Sequence, residues 1–229
     1  MINPSKGHNN RQTHNFYLYN SIDKYLRDFV PDIKGKVYDL GCGNMHYRGF
    51  VETLNAQYVG VDWNQSLHSI VLPDVICDLN EKLPIETNAA DTIICISVLE
   101  HLKNPEAFLK EVRRIVKPEG KVFFQVPFMW HVHEAPHDFG RFTKYALNNM
   151  FIEAGFGDVL IAEQSGLGLT IALKLNYFLL SLLRGPKYLR KVLRILLSPI
   201  FIINQSIGSF LDWFIHRPYE TVGYCVRAN

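Results

Sequence analysis

Asp39 stands two residues ahead of Gly41-Cys42-Gly43, at the end of a run, Lys36–Leu40, that reads as a buried strand. A strand that enters a glycine turn lets backbone approach a ligand closely, and a helix start beyond it favours negative charge. A second strand, Tyr58-Val59-Gly60-Val61-Asp62, ends on an acid suited to accept hydrogen bonds from ribose hydroxyls. The turn reads G-C-G rather than G-x-G-x-x-G, and no lysine stands where a phosphate loop needs one. The pattern therefore points to a nucleoside pocket without a pyrophosphate. Trp63 could stack on the base or simply pack, and Cys42 is a small residue that fits the turn, with no redox role expected.

The other concentration of chemistry is Pro127 to Thr143. It holds His131, His133 and His137 with Glu134, Asp138 and Arg141. The segment starts where a fifth strand ends, on the edge of an open α/β sheet that binds ligands. One histidine can take the proton of a hydroxyl, oriented by Asp138 or Glu134. In a structural reading, Asp138 and Arg141 pair to fix the turn before a helix at Thr143. A metal reading draws on the histidines and carboxylates, yet no H-x-x-x-H pair stands on a helix, and no metal is expected.

Elements that position these residues follow from hydrophobic periodicity. Phe16, Tyr19, Ile22, Tyr25, Leu26 and Phe29 mark a helix that stops before Pro31. Strands are expected at Lys36–Leu40, Tyr58–Asp62, Val75–Cys77, Thr92–Ser97, Lys121–Val126, about Val159–Glu163 and about Val222–Ala228. Helices are expected around Tyr47–Leu54, after Asn104-Pro105-Glu106, and after Thr143 with Gly155 as its stop. The alternation implies a parallel sheet with helices on both faces.

In order along the chain, D-L-G-C-G, V-G-V-D, Cys77-Asp78-Leu79, the stretch Asp91 to Leu102 and the stretch Leu109 to Phe124 resemble the motifs of class I S-adenosylmethionine-dependent methyltransferases. The resemblance covers roughly Gly35 to Phe156. It implies a Rossmann-like, doubly wound, mostly parallel seven-stranded α/β sheet whose last strand is antiparallel and hairpinned with the sixth. It implies S-adenosylmethionine as cofactor, bound by Asp39 and the turn Gly41, Cys42 and Gly43, with Asp39 and Gly41 near its methionine portion and Asp62 at the ribose. Trp63, Asp78 and Leu79 would stand at the adenine, and Ser97 to Glu100 would flank the sulfonium. His101 belongs to the family's L-E-H triplet and shapes the donor pocket. More loosely, the pattern around Pro136-His137-Asp138-Phe139 resembles members linked to glycan and natural-product assembly.

The length suits one domain with a sizeable core. The net charge is only +2, which gives no case for nucleic acid, and the exit from the fourth strand lacks the N-P-P-Y or D-P-P-Y of base methylation. Four cysteines, Cys42, Cys77, Cys95 and Cys225, fall on or beside buried strands as reduced thiols. Between Gln164 and Leu211 stand six basic residues and no acid, so the rest of the chain is net negative. Residues 1–15 are expected to be a flexible N-terminus. Residues 16–164 with 220–229 form the methyltransferase domain, and 165–219 form an apolar, basic helical insertion between strands six and seven. Lys187, Arg190, Lys191 and Arg194 fall on one side of a helix, with Leu189, Val192, Leu193 and Leu196 on the other. This suits peripheral contact of 165–215 with an anionic membrane, at the inner face in a cytoplasmic protein. A packed subdomain or a homodimer contact is the alternative. The expected reaction is O-methylation of a small-molecule, saccharide or lipid-linked acceptor. The alternatives are C- or N-methylation, or a non-catalytic nucleoside-binding scaffold of a membrane complex.

Overall fold

The computed structural model describes residues 3–8, 10–63, 71–215 and 219–229. Of the N-terminal stretch, Met1, Ile2 and Asn9 lie outside the described residues. Among the described residues, β1 (Lys36–Leu40), β2 (Gln57–Asp62), β3 (Val75–Ile76), β4 (Ala90–Ile96), β5 (Val116–Pro127), β6 (Leu160–Glu163) and β7 (Gly223–Ala228) form one sheet. Its order is β3-β2-β1-β4-β5-β7-β6. Pairing is parallel from β3 through β5, and β7 runs antiparallel between β5 and β6. The sheet is thus mixed, with the expected antiparallel final strand.

Strand alternation assigns neighbouring side chains to opposite faces. Tyr38, Ile93, Val122 and Phe124 pack with Phe108, Leu109 and Val112 of α3 (Pro105–Ile115) and Leu147 and Phe151 of α4 (Lys144–Glu153). Val37, Ile94 and Phe123 pack on the other side with Ile22, Leu26 and Phe29, from α1 (Phe16–Asp28) and its C-terminal end, and with Phe50 and Val51 of α2 (Arg48–Glu52). The caps read from the sequence are formed: Asn104 accepts from Ala107 N–H at 3.0 Å, and Thr143 from Ala146 N–H at 3.2 Å. β5 starts earlier than its apolar run suggests, because Val116 already pairs with Ala90 before an irregularity at Ala90/Thr92.

The N-terminal segment also packs. Asp23 is fully buried and accepts from the Ser5 N–H and hydroxyl, both at 2.8 Å, and from Arg11. Those bonds fold the described part of residues 3–15 back over α1.

The insertion forms an antiparallel helical pair, α5 (Leu167–Ser181) and α6 (Lys187–Phe214). The basic stretch and the second apolar run merge into α6, which continues through Pro199. Gly168 and Gly208 face each other so closely that a Cβ on either would strike the other's backbone. The Asp212 carboxylate accepts from the N–H groups of Gly166 (2.9 Å), Gly168 (2.6 Å) and Leu169 (3.0 Å), and so caps α5 from the far end of the neighbouring helix. A side chain that caps orphan N–H groups contributes up to about 2 kcal/mol. Asp212→Ala is expected to lower unfolding stability by about that amount, measured by urea denaturation, with the sheet's circular dichroism unchanged.

Candidate active site

At the carboxyl edge of the sheet, the strand order reverses between β1 and β4, and a cavity of about 670 Å³ opens there. The Gly41 and Cys42 N–H groups both donate to Val61 O, at 2.8 and 3.2 Å, which ties the turn after β1 to the end of β2. Gly41 has φ 77° and Gly43 φ 49°, backbone that favours glycine. A Cβ on Gly41 would strike Val98, whereas one on Gly43 meets nothing within 4 Å. The Asp62 carboxylate accepts from Gly43 N–H at 2.7 Å and from Trp63 N–H at 2.8 Å. Asp39 accepts from the Tyr58 hydroxyl, and burial pushes its carboxyl up to about 7.

Asp39, Gly41, Cys42, Gly43, Asp62, Trp63, Asp78, Leu79 and Ser97 all line this cavity. Asp78 accepts from the Asn80 N–H and side-chain amide, both at 2.9 Å. Trp63 meets His137 edge-on at 5.3 Å. Ser97 has φ 54°. Its N–H donates to Gln125 O at 2.9 Å and its hydroxyl to Gln125 Oε1 at 2.6 Å.

Glu100 departs from the expected placement. It does not line the cavity. It is fully buried behind it, with both carboxylate oxygens unpartnered by hydrogen bonds. Burial pushes it up to about 8. Its Oε1 lies 3.6 Å from His101 Nε2 and 3.8 Å from His133 Nε2. His101 Nδ1 lies 2.5 Å from His137 O and donates to it.

His131, His133 and His137 line the cavity, and Asp138 stands outside it. Asp138 meets both of the partners considered for it. It accepts from Arg141 Nη1 at 2.6 Å and Nη2 at 2.8 Å and from His133 N–H at 2.9 Å, while its Oδ2 lies 3.3 Å from His133 Nδ1. The Arg141 hydrogen bonds hold Asp138 well below the usual carboxylate range, and burial lowers His133. Glu100, His101 and His133 also offer three ligand atoms within 4.8 Å of one another, a grouping that spacing along the chain did not reveal.

The far half of the cavity was not legible in the sequence. His14 and Asn15 from the N-terminal segment, Tyr177 from α5 and Arg194 from α6 line it with Trp130 and His131. Tyr177 packs against His131 (4.5 Å between centroids), His14 (4.9 Å) and Trp130 (5.1 Å). His14 is pushed down to about 4, chiefly by burial and then by Arg194.

Residues 38–124 match a family model described as a methyltransferase domain. A ubiquinone biosynthesis O-methyltransferase of Chromobacterium violaceum is 30% identical over 184 residues, covering 67% of this chain and 78% of that protein. An uncharacterized protein of Methanocaldococcus jannaschii is 30% identical over 109 residues, and the chain spans about half, 48%, of its length. An S-adenosylmethionine-dependent methyltransferase of Archaeoglobus fulgidus shares the fold at TM-score 0.57 and 17% identity, over 91% of this chain and 93% of that one. Phosphoethanolamine N-methyltransferase 2 of Haemonchus contortus, solved with S-adenosylmethionine, does so at 0.60 and 15%, over 94% and 55%. The chain belongs to the class I S-adenosylmethionine-dependent methyltransferases.

The residues present fit that cofactor. The open space at Gly43 leaves room against backbone, and Asp62 stands fixed at the end of β2. Asp39 offers a carboxyl toward the cationic methionine portion, and Asp62 offers carboxylate oxygens that would accept from the ribose hydroxyls. Two outcomes follow. Asp62→Ala should weaken S-adenosylmethionine binding by about 10- to 100-fold in titration calorimetry, the cost of losing hydrogen bonds to a charged group. Glu100, raised from its ordinary value of 4.5 to about 8, keeps a proton that the unfolded chain releases. Its stabilising contribution is complete below the unfolded value and is lost as pH rises through about 8. The thermal midpoint of ligand-free protein should fall over that window, with Asp39 acting in the same direction up to about 7. Glu100→Gln should flatten the fall.

Proposed function

We propose that the protein transfers the methyl group of S-adenosylmethionine to a hydroxyl of a small, ring-bearing acceptor, in soluble or lipid-linked form. The single observation that carries this reading is His133 on the cavity wall, backed by the Asp138–Arg141 pair behind it. When bound, S-adenosylmethionine supplies an electrophilic methyl on sulfur. The protein's task is to hold the acceptor oxygen in line and to take its proton.

His133 Nδ1 faces both Asp138 Oδ2 at 3.3 Å and Arg141 Nη2 at 3.5 Å; the base reading takes the tautomer with its proton toward Asp138, which leaves the lone pair on Nε2. Burial lowers His133, so the neutral, proton-accepting form is filled at neutral pH. Asp138 is a positioning residue, held as a carboxylate by Arg141. Neutral Glu100 behind His133 adds no fixed negative charge that would raise the histidine. The rings of His14, Trp130, His131 and Tyr177 suit a flat acceptor, and the Chromobacterium relative is named for O-methylation in ubiquinone biosynthesis.

His133→Asn should lower kcat by about 10²- to 10⁴-fold while the Kd for S-adenosylmethionine stays within a few-fold. For the wild type, kcat should rise with pH through the lowered His133 value and then level off. Asp138→Asn should move that limb to lower pH, since it removes the anion and leaves Arg141 beside the ring. Treatment with a chelator should leave turnover unchanged. An intact kcat in the His133 variant, or loss of turnover on chelation, would defeat the base assignment.

A further inference from the structure

Most of the large apolar side chains that stay exposed among the described residues belong to α5 and α6. On α5 they are Leu167, Ile171, Leu175, Phe178 and Leu182, spaced three to four residues apart on one face. On α6, Val192, Leu196, Ile200, Ile203, Ile207 and Phe210 repeat the spacing over most of the helix. The two helices lie side by side, so these stripes adjoin. At the turn end of the pair stand Arg184, Lys187, Arg190, Lys191 and Arg194, all exposed, and no acid lies between Gln164 and Asp212. Trp213 and Phe214 stand exposed at the other end of α6.

We infer that this face of the α5–α6 pair seats the protein on the surface of an anionic lipid bilayer. Charge selects this occupant. Lys187, Arg190, Lys191 and Arg194 stand on the side of α6 away from its apolar stripe, and a helix with one apolar face and a basic polar side free of acid is the pattern that lies along an anionic lipid surface, where headgroups neutralise the charge. The apolar stripe enters the boundary between headgroups and acyl chains, and the basic side chains reach the headgroups from the polar side of the helix.

The binding mode follows from the opposite side of the helices. α6 is long and apolar enough to cross a membrane by length and composition. Yet Gln205 accepts from Tyr17 N–H at 2.9 Å and donates to Thr13 O at 2.8 Å, Asn204 donates to Asn176 at 3.0 Å, and Asp212 caps α5. A spanning helix would lose those partners, so α6 lies along the interface with its polar side on the protein. Tyr177 and Arg194 place the ring-lined half of the cavity beside the same hairpin.

The test is co-sedimentation of the full chain with vesicles of phosphatidylcholine alone and of equimolar phosphatidylcholine and phosphatidylglycerol. Binding is expected only to the anionic vesicles and should weaken with salt. The triple variant Lys187→Gln/Arg190→Gln/Lys191→Gln should bind about a hundredfold more weakly, roughly fivefold per charge. Ile203→Ser/Ile207→Ser/Phe210→Ser should lose binding even at low salt, with the thermal midpoint unchanged. Equal binding to neutral vesicles, or a charge variant that binds like the wild type, overturns the proposal. So does a lipid-free dimer by light scattering that the serine variant dissociates, which would assign the face to a second copy. Calorimetry with S-adenosylmethionine on the same variants separates a failure of docking from a failure of the methyl-transfer reading.

Discussion

Gly41 has no room for a side chain, and the site depends on that. Its backbone lies against Val98, at the exit of β4, and its N–H is fastened to Val61 at the end of β2. Three strand ends are thereby held together at the point where the sheet order reverses. The left-handed backbone of Gly41 and Gly43 turns the chain outward, so that Gly43 N–H meets the Asp62 carboxylate. A Cβ at Gly41 would force β1 and β4 apart and break this convergence. Everything that a nucleoside cofactor meets in this fold is built from it.

Around that convergence the protein accumulates carboxyl groups that burial keeps from ionising easily. Asp39 and Glu100 are both raised, for the same reason, but they serve different halves of the site. Asp39 lines the donor side, where a cationic ligand favours its ionised form. Glu100 stands behind two imidazoles, where a neutral acid avoids a buried charge without a partner. Asp138 is the contrast. The same loop supplies Arg141, and the bidentate pair keeps Asp138 ionised beside His133. Two acids raised by burial and one held low by its arginine thus stand within one region.

The helical pair after β6 completes the cavity and does not merely decorate the domain. Tyr177 and Arg194 reach the cavity wall, and Gln205 and Asn176 bond the backbone of the segment before α1. The N-terminal segment, α1 and the insertion therefore form one wall, tied by polar side chains that are themselves buried. The outward side of the same helices carries the unburied apolar surface. One element lines the far half of the cavity and faces the exterior at once.

The sequence by itself determined the alternation of strands and helices, the two faces of the sheet, the caps at Asn104 and Thr143 and the donor half of the site. Those signals are local: a glycine turn, an acid at a strand end and periodic apolar residues act through neighbours in the chain. The order of motifs was enough to place Asp39, Gly41, Gly43, Asp62 and Ser97 on one cavity. Only the tertiary structure decided that Glu100 faces His101 and His133 rather than the cavity, because the 3-10 turn Leu99–His101 after β4 sets that direction. It alone brought His14, Tyr177 and Arg194 to the far wall and Asp212 to the start of α5. Those partners are separated by tens to well over a hundred residues, and no local preference encodes such pairings. They exist because buried N–H groups, carbonyls and rings must find partners once the chain is compact.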